Sequence, residues 1–157
     1  MTESERPQAP DRTTVVAVAL LAFGFDVASK IIGSLLLVDR SISLGPVTFH
    51  LVHNSGFALG LGSNLPSWLV VGFTVAATGV IVLMTRRGVF GGPAAGLVIG
   101  GATANILDRA IDGTVVDLIH IGRWPTFNLA DAFIILGFFL LLSADSQTDD
   151  LVAQESA

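Results

Sequence analysis

Cysteine is absent from this chain. That excludes a disulfide framework, a thiolate nucleophile and a cysteine-ligated metal. Charge is also scarce. Only 13% of the 157 residues are Asp, Glu, Lys or Arg, against about 25% in an ordinary soluble domain. A folded domain of this size would lack the polar surface it needs in water. No run of Lys and Arg forms a basic stripe, so a nucleic-acid partner is excluded. The net charge of -5 comes from scattered acids and an acidic tail, and points to no partner. What is abundant is apolar: 52% of residues are hydrophobic and the mean hydropathy is +0.73. The length allows one domain, and a bilayer is the simplest solvent for it.

The apolar residues fall into four stretches: about 14–33, 66–85, 93–110 and 129–143. A spanning helix needs roughly 20 mostly apolar residues, so an all-α membrane protein with four transmembrane helices is expected. Residues 1–12 read as a disordered leader, not a cleaved signal peptide, because the apolar run continues into Asp26 and Lys30. Residues 145–157 read as a polar acidic tail. The membrane-embedded domain would then be 13–144. Between the first two spans, residues 39–63 alternate Ile42, Leu44, Val47, Phe49 and Leu51 around a Gly45-Pro46 turn. This predicts a small β-rich outer element. Gly56, Gly60 and Gly62 would let its backbone turn sharply.

Arg86 and Arg87 sit in the short link between the second and third spans. Short cytoplasmic loops are enriched in Lys and Arg, which places that link inside and both termini cytoplasmic. On this topology Asp26, Lys30, His53, Asn54, Asn105, Asp108, Arg109, Asp117, Asn128 and Asp131 all collect near the outer boundary. Charges within a membrane cost about 2.5–3.5 kcal/mol each on insertion scales. Such a collection from separate segments suggests one site.

The chemistry it could support rests on Asp117 and Asp131. Two carboxylates held close together share a proton. The ionised one can activate a water while the protonated one polarises a carbonyl, as in aspartic proteases. The alternative is structural: one Asp caps a helix and the other pairs with Arg109 or Arg123. Asn128 could serve as the cap of the last span and leave Asp131 free. Asn105, Asp108 and Arg109 share one helix face, as a network tying the third span to its neighbours or as support for the carboxylates. Asp26 and Lys30, four residues apart, either neutralise each other or anchor substrate. His50 and His53 lack a third ligand, so no metal is expected. No G-x-S-x-G elbow is present. Glycines at 96, 100 and 101 suit close helix packing.

Four segments occur in order: Asn54-Ser55-Gly56-Phe57-Ala58, Gly100 to Arg109 (GGATANILDR), Gly113-Thr114-Val115-Val116-Asp117, and Phe127-Asn128-Leu129-Ala130-Asp131. With Asp26 and Lys30, this set resembles lipoprotein signal peptidase (signal peptidase II, aspartyl peptidase family A8) from about Val15 to Leu142. The resemblance implies a monomeric aspartic endopeptidase of the bacterial inner membrane, needing no metal or organic cofactor. Its substrate would be a diacylglyceryl-modified prolipoprotein, met in the membrane lipid and cut before the lipidated cysteine. Globomycin-type cyclic peptides would inhibit it. Asp117 and Asp131 match the catalytic aspartates. Asp26, Lys30, Asn54, Gly56, Asn105, Asp108, Arg109, Asn128 and Ala130 match the other characteristic positions, and residues 39–63 match an outer cradle. Three positions depart from the family pattern: Ala104 for Gly, Leu118 for Phe, and Leu59 where Phe follows Ala.

Overall fold

The computed structural model describes residues 11–56 and 65–155, the side chains of 67 and 144–155 excepted. Four helices run α1 (Arg12–Leu36), α2 (Ser67–Arg86), α3 (Gly92–Asp112) and α4 (Leu129–Glu155). Three strands, β1 (Ile42–Leu44), β2 (Val47–Asn54) and β3 (Val115–Ile121), form one antiparallel sheet in the order β1-β2-β3.

Sequence sets the helix ends. Asp11 caps α1, its side chain accepting from the Thr13 backbone N–H at 3.0 Å. Pro93 sits in the first turn of α3, where its missing N–H costs nothing. Gly113 ends α3 with φ 72°, a left-handed turn that glycine adopts without strain. That turn sends the chain straight into β3.

Helix α3 is the hub. It packs on α1, α2 and α4, while α1 and α2 hardly touch. A Cβ on Gly96 would lie 2.8 Å from the Val15 carbonyl oxygen of α1. A Cβ on Gly101 would lie 2.6 Å from the Ala130 carbonyl oxygen of α4. The glycines therefore permit backbone contact that any side chain would forbid. These contacts also give direction: α3 runs parallel to α1 and antiparallel to α4.

The packing is inverted relative to a protein in water. Much of the interior is small or polar: Ala22, Ala95, Ala102, Ala104, Asp26, Lys30, Asn105 and Asn128 are buried, beside a few larger apolar residues such as Val70, Val98, Leu118 and Leu141. Large apolar side chains face outward, among them Leu20, Phe25 and Leu35 on α1 and Trp68, Phe73 and Val80 on α2. In water such a surface would drive aggregation. In hydrocarbon it costs nothing. Helices Arg12–Leu36 and Trp68–Arg86 are each long and apolar enough to cross a membrane, and Leu129–Ser143 is a shorter apolar stretch.

Several expectations are adjusted. Arg12 already belongs to α1, and residues 1–10 lie outside the described residues. Helix α4 continues past Ser143 to Glu155, through the stretch expected as a separate tail. The sheet is not confined to the link between α1 and α2, because β3 comes from the link between α3 and α4. Gly60, Gly62 and Leu59 lie outside the described residues.

Candidate active site

The sheet positions Asp117. In the β2–β3 pairing Val52 lies opposite Asp117 and Asn54 opposite Val115. The Asn54 side-chain amide donates to Asp117 Oδ2 at 2.9 Å. After β3 the chain turns and folds back. The Phe127 N–H donates to the Ile119 carbonyl at 2.9 Å, and the Leu118 N–H to the Phe127 carbonyl at 3.0 Å. That return places Asn128 beside Asp117, with Asn128 Nδ2 donating to Asp117 Oδ1 at 2.7 Å. Asn128 is also the residue before α4, and its Oδ1 accepts from the Asp131 N–H at 2.9 Å. One side chain thus caps the helix that carries one carboxylate and hydrogen-bonds the other carboxylate. This leaves the Asp131 side chain uncommitted to capping.

Asn105 performs the matching task from α3. Its Nδ2 donates to Asp131 Oδ1 at 2.8 Å, and its Oδ1 accepts from Asn128 Nδ2 at 3.2 Å. Asp117 and Asp131 are therefore joined through two asparagines in contact with each other. Neither Arg109 nor Arg123 forms an ion pair with either carboxylate among the described residues.

Behind the asparagines lies a second layer. Lys30 has three N–H donors and three partners: Asp26 Oδ2 at 2.6 Å, Asp108 Oδ2 at 2.8 Å and Asn105 Oδ1 at 3.0 Å. Asp26 in turn accepts from the Ala130 N–H at 2.8 Å, fixing the first turn of α4. The adjacent Asp108 and Arg109 take separate partners. Asp108 pairs with Lys30, and Arg109 Nη2 donates to the Gly56 carbonyl at 2.6 Å. The Gly56 N–H donates to Asn54 Oδ1 at 2.9 Å. Arg109 and Asn54 thereby brace the same turn. All of the expected site residues are drawn into this one cluster.

Asp117 is 1% exposed. Burial raises its pKa to about 6; the Asn54 hydrogen bond opposes the rise and the nearby Asp131 charge adds to it. Asp131 lies in the wall of a cavity of about 600 Å³. Asn105, Arg109, Thr126, Phe127 and Phe139 also line it. Such a space suits a ligand with one polar and one apolar part. Trp124 and Thr126 were not singled out from sequence; the aromatic Arg123-Trp124-Pro125-Thr126-Phe127 link was the available signal. A second cavity, about 390 Å³, is apolar, lined by residues including Gly33, Leu36, Phe49, Leu118 and Leu129. His50 packs against His120 with ring centroids 5.7 Å apart, and His53 is exposed.

The family model described as signal peptidase (SPase) II matches residues 18–145. The chain belongs to the signal peptidase II family. Members of that family are aspartic peptidases that remove signal peptides from prolipoproteins. A lipoprotein signal peptidase of Mycolicibacterium smegmatis is 35% identical over 157 residues, covering 90% of this chain and 65% of the relative's length. The lipoprotein signal peptidase of Mycobacterium tuberculosis (strain H37Rv) is also 35% identical, covering 89% and 75%. That of Syntrophomonas wolfei is 38% identical over 110 residues, 66% of this chain and 71% of its own. Two solved structures described as bacterial membrane enzymes share the fold. One, at 2.3 Å, has a TM-score of 0.79 at 24% identity and covers 91% of this chain and 93% of its own. The other, at 1.9 Å, has a TM-score of 0.73 at 25% identity and covers 89% and 97%. This signal peptidase II family chain is a membrane protein.

Proposed function

We propose that this chain cleaves diacylglyceryl-modified prolipoproteins just before the lipidated cysteine, with Asp117 and Asp131 as its catalytic pair. The observation that carries the reading is the Asn105–Asn128 bridge, which ties a buried carboxylate to one that opens onto a cavity. Within the pair one proton is shared. The ionised carboxylate takes a proton from water as the water oxygen bonds to the carbonyl carbon. The protonated one donates to the carbonyl oxygen. Collapse of the tetrahedral intermediate breaks the C–N bond: the departing amine takes the proton gained from water by the first carboxyl, and a hydroxyl of the intermediate returns its proton to the other carboxylate. Asn54, Asn105 and Asn128 hold the pair, Asp26, Lys30 and Asp108 hold Asn105 and the start of α4, and Arg109 with Gly56 braces the β2 end.

In this reading all four helices span the inner membrane, 13–144 forms the peptidase unit, and both termini are cytoplasmic. The sheet forms a cradle at the extracytoplasmic face. A lipidated substrate stays in the bilayer and reaches such a site by lateral diffusion. Its acyl chains contribute about 0.8 kcal/mol per buried CH₂. Globomycin-type cyclic peptides would compete in the same cavity, and the chain acts as a monomer. The test is cleavage of a diacylated precursor by purified protein in lipid. Asp117→Asn and Asp131→Asn should each abolish product while the variant still inserts and melts cooperatively. Cleavage retained in either variant overturns the assignment.

A further inference from the structure

At the end of the bundle opposite the carboxylates, a cavity of about 610 Å³ opens between α1 and α2. Its floor and walls are apolar: Val15, Val16, Ala19 and Leu20 from α1, Val82 from α2, and Ile99 from α3. Its remaining lining is Thr85, whose hydroxyl is spent on the Ile81 carbonyl at 2.8 Å, and two arginines, Arg12 and Arg86. The groove exists because α1 and α2 each pack on α3 and hardly meet each other. Glycines make α3 thin on the α1 side, so the back wall lies deep.

We infer that this groove binds one anionic phospholipid, its phosphate between Arg12 and Arg86 and its upper acyl chain against Val16, Val82 and Ile99. The charge balance favours it. Among the described residues no carboxylate lines the cavity. The nearest acid in sequence, Asp11, is committed to the helix cap, accepting from the Thr13 N–H at 3.0 Å and the Thr14 hydroxyl at 2.6 Å. Arg12 and Arg86 are exposed and form no ion pair among the described residues. An arginine fork matches a phosphate well. The volume falls within the usual range for ligand pockets, about 300–1,000 Å³. A bilayer supplies such a ligand at high local concentration. Helix α4 ends at the same side of the bundle, and its acidic 145–155 stretch is the competing occupant. Its sequence offers only Leu151, Val152 and Ala153 as apolar residues against the groove's apolar walls.

The inference rests on the membrane placement above but not on the hydrolytic reading. Asp117→Asn should retain lipid while losing cleavage, so the two can fail separately. The test uses the full chain in nanodiscs of phosphatidylcholine with one-tenth phosphatidylglycerol, released and weighed by native mass spectrometry. One retained phosphatidylglycerol is expected in the wild type. Each arginine near a membrane surface contributes about fivefold, so Arg12→Gln/Arg86→Gln should lower retention about 25-fold. Arg40→Gln, at the other end, should leave it unchanged. Val82→Phe keeps both arginines but fills the groove, and should also release the lipid. Equal retention of the two lipids by the wild type overturns the proposal. So does unchanged retention in the double variant, or in Val82→Phe, which would reduce the effect to surface charge. Lipid appearing only in a chain ending at Ser143 would assign the groove to the acidic stretch and equally overturn it.

Discussion

Asp117 carries a carboxyl that burial has made hard to ionise, and the asparagine amides around it oppose that. Amide donors stabilise the charged form, so removing one raises the pKa further. With the wild-type group near 6, the singly protonated pair is lost as pH rises through about 6, and kcat/KM should fall along that limb. Asn54→Ala should move the limb to higher pH, read from a pH–rate profile with diacylated precursor. A shift to lower pH, or none, would contradict the role given to Asn54. Lys30 offers a separate test. Lys30→Met strands Asp26 and Asp108 without a counter-charge and Asn105 without one donor. Breaking a buried pair in this way costs about 3–5 kcal/mol. A large drop in Tm and in folded yield is expected, partly recovered by adding Asp26→Asn.

Helix α3 acts as the spacer between α1 and α4, and two of its glycine contacts do different work. A side chain at Gly101 would press on the Ala130 carbonyl, within the turn that carries Asn128 and Asp131. Displacements of about 1 Å can cost roughly 100-fold in rate. Gly101→Val should therefore lower kcat at least that much. Gly96→Val presses instead on Val15, far from the carboxylates. It should lower Tm while leaving the kcat of the folded fraction near wild type. Measuring both variants separates packing from positioning. Element by element, the helices were legible in sequence because apolar runs bounded by Pro, Gly and polar residues leave few alternatives. The β1–β2 hairpin was legible from alternation around Gly45-Pro46. Strand β3 was not. Val115 to Ile121 is short and interrupted by Asp117 and His120, and only its pairing with β2 makes it a strand. The gathering of polar residues could be read from topology, because buried charge in a membrane needs a partner. The particular partners could not. Which of Asp26, Asp108 and Asn105 meets Lys30 depends on how closely α1 and α3 approach, and the answer is all three.

For the whole molecule, the exposed Leu, Ile and Phe and the buried Ala, Gly and Asn argue for one solvent, hydrocarbon, around most of the bundle. The proposed orientation can be checked with the chain's own lack of cysteine. A single cysteine at Ser43, in β1, should react with a membrane-impermeant maleimide in intact cells. One at Val89, in the α2–α3 link, should react only after the membrane is opened. The reverse pattern would invert the topology. The same end-to-end asymmetry separates the carboxylate cluster from the arginine groove.

The span of one hydrogen bond has a consequence for how the protein is made. Asp26 holds the N–H of Ala130, 104 residues later. When the ribosome delivers α1, neither Ala130, Asn105 nor Asp108 has yet been synthesised. Asp26 and Lys30 must enter the bilayer with only each other, and their spacing of one helical turn lets them do so as a neutral pair. Arrival of α3 and α4 then recruits those two charges into the finished cluster. Asp131 arrives last, on α4, so the proposed carboxylate pair is assembled only when that final helix joins the bundle.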